Sequence, residues 1–220
     1  DLMTGLLQAY ATTSAIIGAR TEGKGRDIDV SLFDLALSNL SYPATWFLNG
    51  GHVQGREPRS GHPSLTPCGA QKTKDGWIFL MCNKEKFWPI LCDMIGHPEW
   101  GTDERYANFQ ERLEHRAEIT KILDGALSTR TTAEWLDLFA GKVPSAPILD
   151  IKQALENPFV TDNGKIQELK HQSGETFRLV DSPISCPGDP TPARPAPELG
   201  GRTEQLLRDL GVATGDGARL

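Results

Sequence analysis

A segment rich in glycine and proline, residues 49–67, divides the chain into two parts of different character. Glycine and proline both interrupt helices and strands, so a stretch of this length is typical of a long loop or an interdomain crossing. Helical periodicity dominates the residues before this crossing, whereas short apolar runs and tight-turn residues follow it. We therefore expect a new structural unit to begin after the crossing.

Before the crossing, the pattern of apolar residues predicts a helix, a strand and a second helix. Apolar residues fall at helical spacing from residue 2 onward, and this pattern predicts a helix that ends near Arg20. Residues 27–32 alternate polar and apolar side chains, as a half-buried strand does. Residues 32–48 again show a helical pattern, and Pro43 predicts a break within it.

The segments after the crossing predict a small α+β unit. Residues 68–73 and 76–82 are predicted to form a hairpin, because an Asp-Gly turn between them supplies the positive φ that a tight turn requires. Thr131 and Glu134 have the spacing of a capping box before a helix. The remaining predicted elements are helices at 85–95, 109–127 and 132–139, a strand pair within 165–180, a proline-rich crossing at 182–197 and a last helix at 203–210.

Charge and hydropathy restrict the class of protein. With 23 basic and 29 acidic residues the formal net charge is −6, and no basic stripe occurs, so a nucleic-acid partner is not expected. Polar residues interrupt the apolar run at 6–17, and no run approaches the roughly 18 apolar residues of a membrane span. We therefore expect a folded, soluble protein without a membrane partner.

The four cysteines show no paired spacing and no histidine at the spacing of a zinc finger. They are Cys68, Cys82, Cys92 and Cys186. This distribution predicts neither a disulfide framework nor a metal site, and it favours reduced, structural thiols and a cytoplasmic location.

Short catalytic motifs are absent from the sequence, which contains no GxSxG, no Walker-type phosphate loop and no GxGxxG. Two local features remain. Asp1 precedes a predicted helix, where a carboxylate most often caps free N–H groups. Arg20, Lys24 and Arg26 form a compact basic patch near the end of that helix, where they suit either an anionic ligand or the helix dipole.

Several segments in order resemble the family III coenzyme A transferases and together cover nearly the whole chain. They are Asp1-Leu-Met-Thr-Gly, Glu22-Gly-Lys-Gly-Arg-Asp-Ile-Asp-Val-Ser-Leu-Phe-Asp, Gly61-His-Pro-Ser-Leu-Thr-Pro, Gln71-Lys-Thr-Lys-Asp-Gly-Trp-Ile, Val143-Pro-Ser-Ala-Pro-Ile and Leu199-Gly-Gly-Arg-Thr-Glu-Gln-Leu-Leu. Each segment is weak alone, but their order and spacing are those expected of the family.

This resemblance implies an α/β fold: part of an open Rossmann-like large domain plus a smaller α+β domain, in chains that interlock as a homodimer. It implies that residues 1–55 are part of the large domain, 56–67 a linker, 68–150 the small domain and 151–220 the return crossing and C-terminal part of the large domain. The preceding half of the large domain, with most coenzyme A contacts, has no counterpart in the sequence. The chain alone is expected to lack a complete site.

The resemblance also implies the chemistry. Asp1 matches the catalytic carboxylate of the family, which carries coenzyme A as an aspartyl thioester while CoA moves from an acyl-CoA donor to a carboxylic acid. Coenzyme A is thus a substrate, and no permanently bound cofactor is expected. Arg20, Lys24 and Arg26 are candidates for its phosphates. Gly61, His62 and Ser64 match a substrate loop that helps to exclude water.

The substrate and the reaction stay open at this point. Formyl-CoA transferases have consecutive glycines in the loop, whereas this chain has Ser60-Gly-His-Pro-Ser, a form that more resembles members handling C4–C6 dicarboxylic or branched acids. Two alternatives remain: a 2-methylacyl-CoA racemase of the same family, whose histidine would lie in the missing half, and a non-catalytic fragment that works only with its partner.

Five tryptophans are expected to pack in cores or domain interfaces: Trp46, Trp77, Trp88, Trp100 and Trp135.

Overall fold

The computed structural model of the protein describes residues 1–171, 173–184 and 195–211. The chain divides into two compact units, Asp1–Pro147 and Ile148–Leu220. The four-segment division predicted from the sequence is finer than this and stays a prediction.

The first unit opens with three helices, α1 at Leu2–Glu22, α2 at Leu32–Ser38 and α3 at Ser41–Gly50. Helix α1 ends at Gly23, which takes the left-handed conformation (φ 69°) and donates its N–H to the Ala19 carbonyl at 2.8 Å. The predicted strand at 27–32 is wrong, because residues 24–31 have no regular structure. A strand needs a neighbour to pair its backbone groups, and no described strand lies beside this segment.

The predicted single helix at 32–48 is divided in two. The division falls at Asn39 and Leu40, upstream of Pro43, and Ser41 has a positive φ of 49°. Pro43 consequently lies in the first turn of α3, where its missing N–H would have had no intrahelical partner. Pro43 is thus compatible with the start of α3, and it does not itself cause the break between α2 and α3.

A three-stranded antiparallel sheet forms after the crossing, in the order β1–β2–β3. Strands β1 (Cys68–Lys72) and β2 (Trp77–Met81) confirm the predicted hairpin, and their register pairs Ala70 with Phe79. Strand β3, Ser145–Pro147, pairs with β2 and was not predicted.

Five helices lie between β2 and β3 in the chain: α4 at Phe87–Met94, α5 at Pro98–Gly101, α6 at Phe109–Glu114, α7 at Arg116–Leu127 and α8 at Thr132–Phe139. The predicted helix at 109–127 is interrupted at His115. The capping box of α8 is confirmed, since Thr131 and Glu134 exchange hydrogen bonds between side chain and backbone.

The core of the first unit lies between the sheet and α4, α7 and α8. Trp88 and Trp135 are 1% and 2% exposed and donate their indole N–H groups to the carbonyls of Trp100 and Leu127. Trp100 packs against the core from outside, whereas Trp77 is partly exposed beneath the Arg59 guanidinium. The expected packing role is therefore realised for Trp88, Trp100 and Trp135.

The thiols of Cys68, Cys82 and Cys92 are buried and free, as predicted, and Cys186 lies outside the described residues.

Apolar side chains of α1, α2 and α3 are largely exposed. Leu2 is 86% exposed and Leu48 is 78% exposed, and Thr4 is the only buried residue in the three helices. Exposed apolar area on this scale is typical of a surface that contacts another part of a protein. The three helices thus present a surface suited to a further contact.

The second unit contains two short helices, a hairpin and a last helix. Its elements are α9 at Ile151–Leu155, α10 at Pro158–Asp162, β4 at Ile166–Lys170, β5 at Thr176–Val180 and α11 at Thr203–Asp209. The predicted strand pair and last helix are confirmed, and most of the predicted proline-rich crossing lies outside the described residues. Among the residues that the structure describes, no helix has the length and hydropathy to cross a membrane.

A fully buried arginine is expected to stabilise the first unit. Replacing Arg112 by Met removes a guanidinium that is 1% exposed and leaves the carbonyls of Thr66 and Tyr106 without their donors. We expect R112M to lower the free energy of unfolding by about 3 kcal/mol, measured by urea denaturation. The control K121M, at an exposed position of α7, should lower it by less than about 0.5 kcal/mol. A similarly small loss in R112M would contradict this account.

Candidate functional site

Asp1 lies at the N-terminus of α1 with its carboxylate uncommitted. Its backbone carbonyl accepts the first helical hydrogen bond from Gly5 N at 3.0 Å, but its side chain makes no capping hydrogen bond. The ordinary capping role that residue type alone favoured is thus not realised. The residue is exposed, so any poorly solvated environment must come from groups outside the described residues.

The predicted basic patch lies at the other end of the same helix. Arg20 occupies the last turn of α1, and Lys24 and Arg26 follow it, all three exposed. Arg26 forms an ion pair with Glu22, one turn away. Because α1 has 21 residues, roughly 30 Å of helix separates Asp1 from the patch. The structure therefore does not bring these two sets of candidates together.

The loop that carries Gly61, His62 and Ser64 is closed by backbone hydrogen bonds. His62 donates its N–H to the Cys68 carbonyl at 2.9 Å, and Gly61 donates to the Pro58 carbonyl at 3.0 Å. A Cβ atom on Gly61 would lie 2.8 Å from Nη1 of Arg116, so a side chain here would displace that guanidinium. The close approach of the guanidinium thus depends on the absence of a side chain at residue 61.

Two reciprocal ion pairs connect the segment before the loop to α7. Arg116 of α7 donates to Glu57 at 2.9 Å, while Arg59 donates in the opposite sense to Asp124 of α7 at 2.8 Å. Asp124 also accepts the backbone N–H of Lys72 at 3.0 Å. The segment is therefore tied both to the helix and, through Asp124, to the end of β1.

Arg116 also binds the backbone of the loop, and Arg59 lies in the segment that leads into it. Nη2 of Arg116 donates to the carbonyls of His62 at 2.6 Å and Pro63 at 3.3 Å. Arg59 and Ser60 have φ values of 58° and 52°, left-handed conformations that cost non-glycine residues free energy. The ion pair to Asp124 holds Arg59 in that conformation.

The His62 side chain is positioned within the loop. Its Nδ1 accepts the N–H of Ser64 at 3.1 Å, so the neutral ring carries its proton on Nε2. The ring stacks on Tyr42 of α3 with 6.0 Å between centroids. Nε2–H is the group that remains available to donate a hydrogen bond to a ligand.

Residues of the loop line two cavities of different character. A cavity of about 490 Å³ is lined by Gly61, Thr66, Gln71 and both arginines of the reciprocal pairs. Two buried atoms of its lining residues, Thr66 Oγ1 and Gln71 Oε1, have no partner among the described residues. A second cavity of about 550 Å³, mostly apolar, has these residues among its lining: Trp46, His52, Pro63, Ser64 and Leu113.

The described cysteines do not provide a ready nucleophile. Burial raises the pKa of the Cys82 and Cys92 thiols to about 12, and burial likewise raises the pKa of Cys68. A thiol attacks as its thiolate, which these values suppress near neutral pH.

Sequence reasoning identified the loop but missed the residues that hold it. Glu57, Arg59, Arg116 and Asp124 were not singled out. The sequence shows only that Arg112 and Arg116 are four residues apart, which places them on one side of a predicted helix. Their partners are distant in sequence and could be identified only from the structure.

Comparison with known proteins gives consistent results. The sequence profile described as "CoA-transferase family III" matches residues 1–203. The chain is 31% identical over 219 residues to the succinyl-CoA:glutarate CoA-transferase of Homo sapiens, covering 96% of this chain and 48% of that protein. It is 29% identical over 220 residues to the succinate–glutarate CoA-transferase of Agrobacterium fabrum, covering 96% and 53%.

A solved structure shares the fold. The chain superposes on a crystal structure of a protein from M. tuberculosis with a TM-score of 0.77 and 24% identity, covering 91% of this chain and 53% of that one. The described residues therefore adopt the predicted family III fold. The chain spans about half the length of the curated relatives it matches.

The Arg59–Asp124 pair should make stability depend on pH. Burial opposes ionisation of Asp124, but hydrogen bonds from Arg59 and the Lys72 N–H, with their charges, outweigh it and lower the pKa of the carboxyl. An acid whose folded pKa is lowered stabilises the fold above its unfolded pKa of about 3.9, and this contribution disappears as pH falls through the folded pKa.

We expect D124N to lower the free energy of unfolding at pH 7 by about 1 kcal/mol. The difference from wild type should shrink as pH falls below about 4, measured by urea denaturation at several pH values. The control D137N, at an exposed position of α8, should show no such dependence. A constant D124N deficit at every pH would rule out the ion pair as its cause.

Proposed function

Since this chain belongs to CoA-transferase family III, we propose that the protein transfers coenzyme A from an acyl-CoA donor to a carboxylic acid, with Asp1 as the nucleophile. The observation that carries the proposal is the uncommitted Asp1 carboxylate at the N-terminus of a long helix, at the start of the first segment that resembles the family. Proteins whose names specify glutarate are among its relatives. We accordingly propose a dicarboxylic acid acceptor.

The proposed reaction conserves the thioester energy through four steps. An oxygen of Asp1 attacks the donor carbonyl and expels the CoA thiolate, leaving a mixed anhydride. The thiolate attacks the Asp1 carbonyl carbon, which forms aspartyl-CoA and releases the donor acid with the bridging oxygen. The acceptor carboxylate then attacks aspartyl-CoA and expels the CoA thiolate to form a second anhydride, and the thiolate attacks the acyl carbon of the acceptor. This last step forms the new acyl-CoA and regenerates the Asp1 carboxylate.

The N-terminus of α1 suits this sequence of charges. The first turn of a helix has N–H groups without intrahelical partners, and the helix dipole places positive potential there. Oxyanions that form next to Asp1 would be stabilised by such donors if the attacked carbonyl lies over the helix end. The side chain of Asp1 does not occupy these donors.

We propose that Gly61, His62 and Ser64 form the part of the site that limits access of water. Water must be excluded because it would hydrolyse both the anhydride and the thioester. The His62 Nε2–H is a candidate donor to a substrate oxygen, since Nδ1 is engaged by Ser64. Their proximity to Asp1 in the working enzyme is part of the proposal.

A complete site requires more than this chain. Asp1 is exposed and the apolar faces of α1 to α3 are uncovered, so we propose that the remaining part of the family fold, in an interlocked dimer, encloses the site. A role for Arg20, Lys24 and Arg26 toward CoA phosphates stays a prediction, and it requires a ligand that reaches along roughly 30 Å of helix.

The nucleophile can be tested by D1N, with D29N as a matched control at an exposed carboxylate in the segment after α1. The Asp1 side chain makes no capping hydrogen bond, and asparagine is well tolerated at an N-cap, so the substitution removes the nucleophile and retains the helix start. The assay uses the chain together with the remaining part of the family fold, and measures CoA transfer from succinyl-CoA to glutarate and the intact mass of the protein.

We expect wild type and D29N to transfer CoA and to gain a CoA-sized adduct, whereas D1N should lose at least about 10³-fold in transfer rate and show no adduct. Full transfer by D1N would exclude Asp1 as the nucleophile. Epimerisation of an α-methyl acyl-CoA in the absence of any acceptor acid would instead favour the racemase alternative.

A further inference from the structure

We propose that Arg116 is a positioning residue that sets the conformation of the Gly61–Ser64 loop and thereby decides whether the enzyme transfers or hydrolyses its thioester. The claim about transfer and hydrolysis rests on the proposed CoA transfer. The claim about the loop conformation rests on the contacts of the Arg116 guanidinium with three oxygens of the segment 57–63.

The three described hydrogen bonds of the Arg116 guanidinium all go to partners on the loop side. Nη1 donates to a Glu57 carboxylate oxygen at 2.9 Å, and Nη2 donates to the carbonyls of His62 and Pro63. Its side chain is 20% exposed and that of Glu57 is 27% exposed, so water competes little for these bonds. Charge-assisted hydrogen bonds of this kind are stronger than neutral ones.

The geometry requires the planar fork of arginine. One nitrogen satisfies the carboxylate before the loop while the other holds two consecutive carbonyls within it. A lysine ammonium is a point charge on a flexible stem and cannot hold that spacing. The absence of a side chain on Gly61 leaves the guanidinium its place, because a Cβ there would lie 2.8 Å from Nη1.

The held backbone leads directly to the groups proposed to act on substrate. Fixing the carbonyls of His62 and Pro63 orients the two peptide groups that follow His62, including the Ser64 N–H that the His62 Nδ1 accepts. Pro63 and Ser64 line the apolar cavity, and Gly61 lines the other one. A shift of the Arg116 contact therefore moves the walls of both cavities.

The alternative is that Arg116 contributes stability alone. Arg112, four residues earlier, is the contrasting case, since it is fully buried and donates to the carbonyl of Thr66, which follows the loop. Loss of stability lowers the amount of active enzyme and reduces transfer and hydrolysis in proportion. Loss of position changes their ratio, because a displaced loop admits water that attacks aspartyl-CoA, releases the CoA thiol and restores the Asp1 carboxylate.

The test compares R116M, R116K and E57Q with R105M as the matched control. Arg105 also pairs with two carboxylates, Asp103 and Glu118, but makes no contact with the loop among its described hydrogen bonds. Hydrogen exchange of the His62 and Ser64 amides is measured on the chain as it stands. The ratio of thioester hydrolysis to CoA transfer is measured on the chain together with the remaining part of the family fold.

We expect the His62 and Ser64 amides of R116M to exchange about tenfold faster than in wild type. The hydrolysis-to-transfer ratio should rise by about tenfold or more, with a smaller rise in R116K and E57Q and none in R105M. The exchange of amides in β2 should remain unchanged, which separates a local effect from unfolding.

The proposal would be overturned if the loop amides of R116M exchanged at the wild-type rate. It would also be overturned if the wild type transferred CoA and R116M had the same hydrolysis-to-transfer ratio. A wild type that transfers no CoA to any acid would contradict the proposed function, while the exchange data would still decide whether Arg116 sets the loop. The two failures are thus distinguishable.

Discussion

The first unit depends on one buried guanidinium whose three nitrogens each donate a hydrogen bond. The Arg112 guanidinium is withdrawn from water, and such a group is tolerated only when each face and edge has a partner. The carbonyls of Thr66 and Tyr106 and the carboxylate of Glu85 take its hydrogens, while the rings of Trp88 and Phe109 lie against it. These partners come from the loop, the α5–α6 connection, the turn after β2 and two helices, so the demand of one side chain fixes their mutual placement.

Arginine side chains also hold the loop in place. Arg112 binds Thr66 after the loop, Arg116 binds His62 and Pro63 within it, and Arg59 in the preceding segment binds Asp124 of α7. A loop rich in glycine and proline would otherwise sample many conformations. Paired charges convert it into a wall of two cavities with one defined histidine orientation. The account of function combines this prepared loop with a carboxylate at a helix N-terminus whose surroundings must be completed from outside the described residues.

The sequence predicted elements best where one local signal was sufficient. Asp75-Gly76 located the hairpin, Thr131 and Glu134 located α8, and Gly211 located the end of the last helix. Prediction failed where the answer depended on distant residues. Residues 27–32 alternate like a strand but have no described neighbour to pair with, and β3 is too short to show a pattern.

The candidate site shows the same division. The resemblance to a family located Asp1 and the loop, because those residues lie in contiguous segments. The ion pairs of Glu57 with Arg116 and of Arg59 with Asp124 join residues roughly 60 positions apart, and no periodicity marks such partners. The distance of roughly 30 Å along α1 between Asp1 and the basic patch, by contrast, follows from the predicted helix, which the structure confirms.

The most direct test of the central claim follows oxygen atoms through the Asp1 carboxyl. In the proposed sequence the acceptor carboxylate leaves one of its oxygens on Asp1, and the next donor acid departs with an oxygen from Asp1. Turnover with an acceptor acid labelled with ¹⁸O should therefore place ¹⁸O in the peptide that contains Asp1, and later in the released donor acid, both read by mass spectrometry. Continued CoA transfer with no label in that peptide would contradict the account, because CoA would then pass without a covalent bond to Asp1.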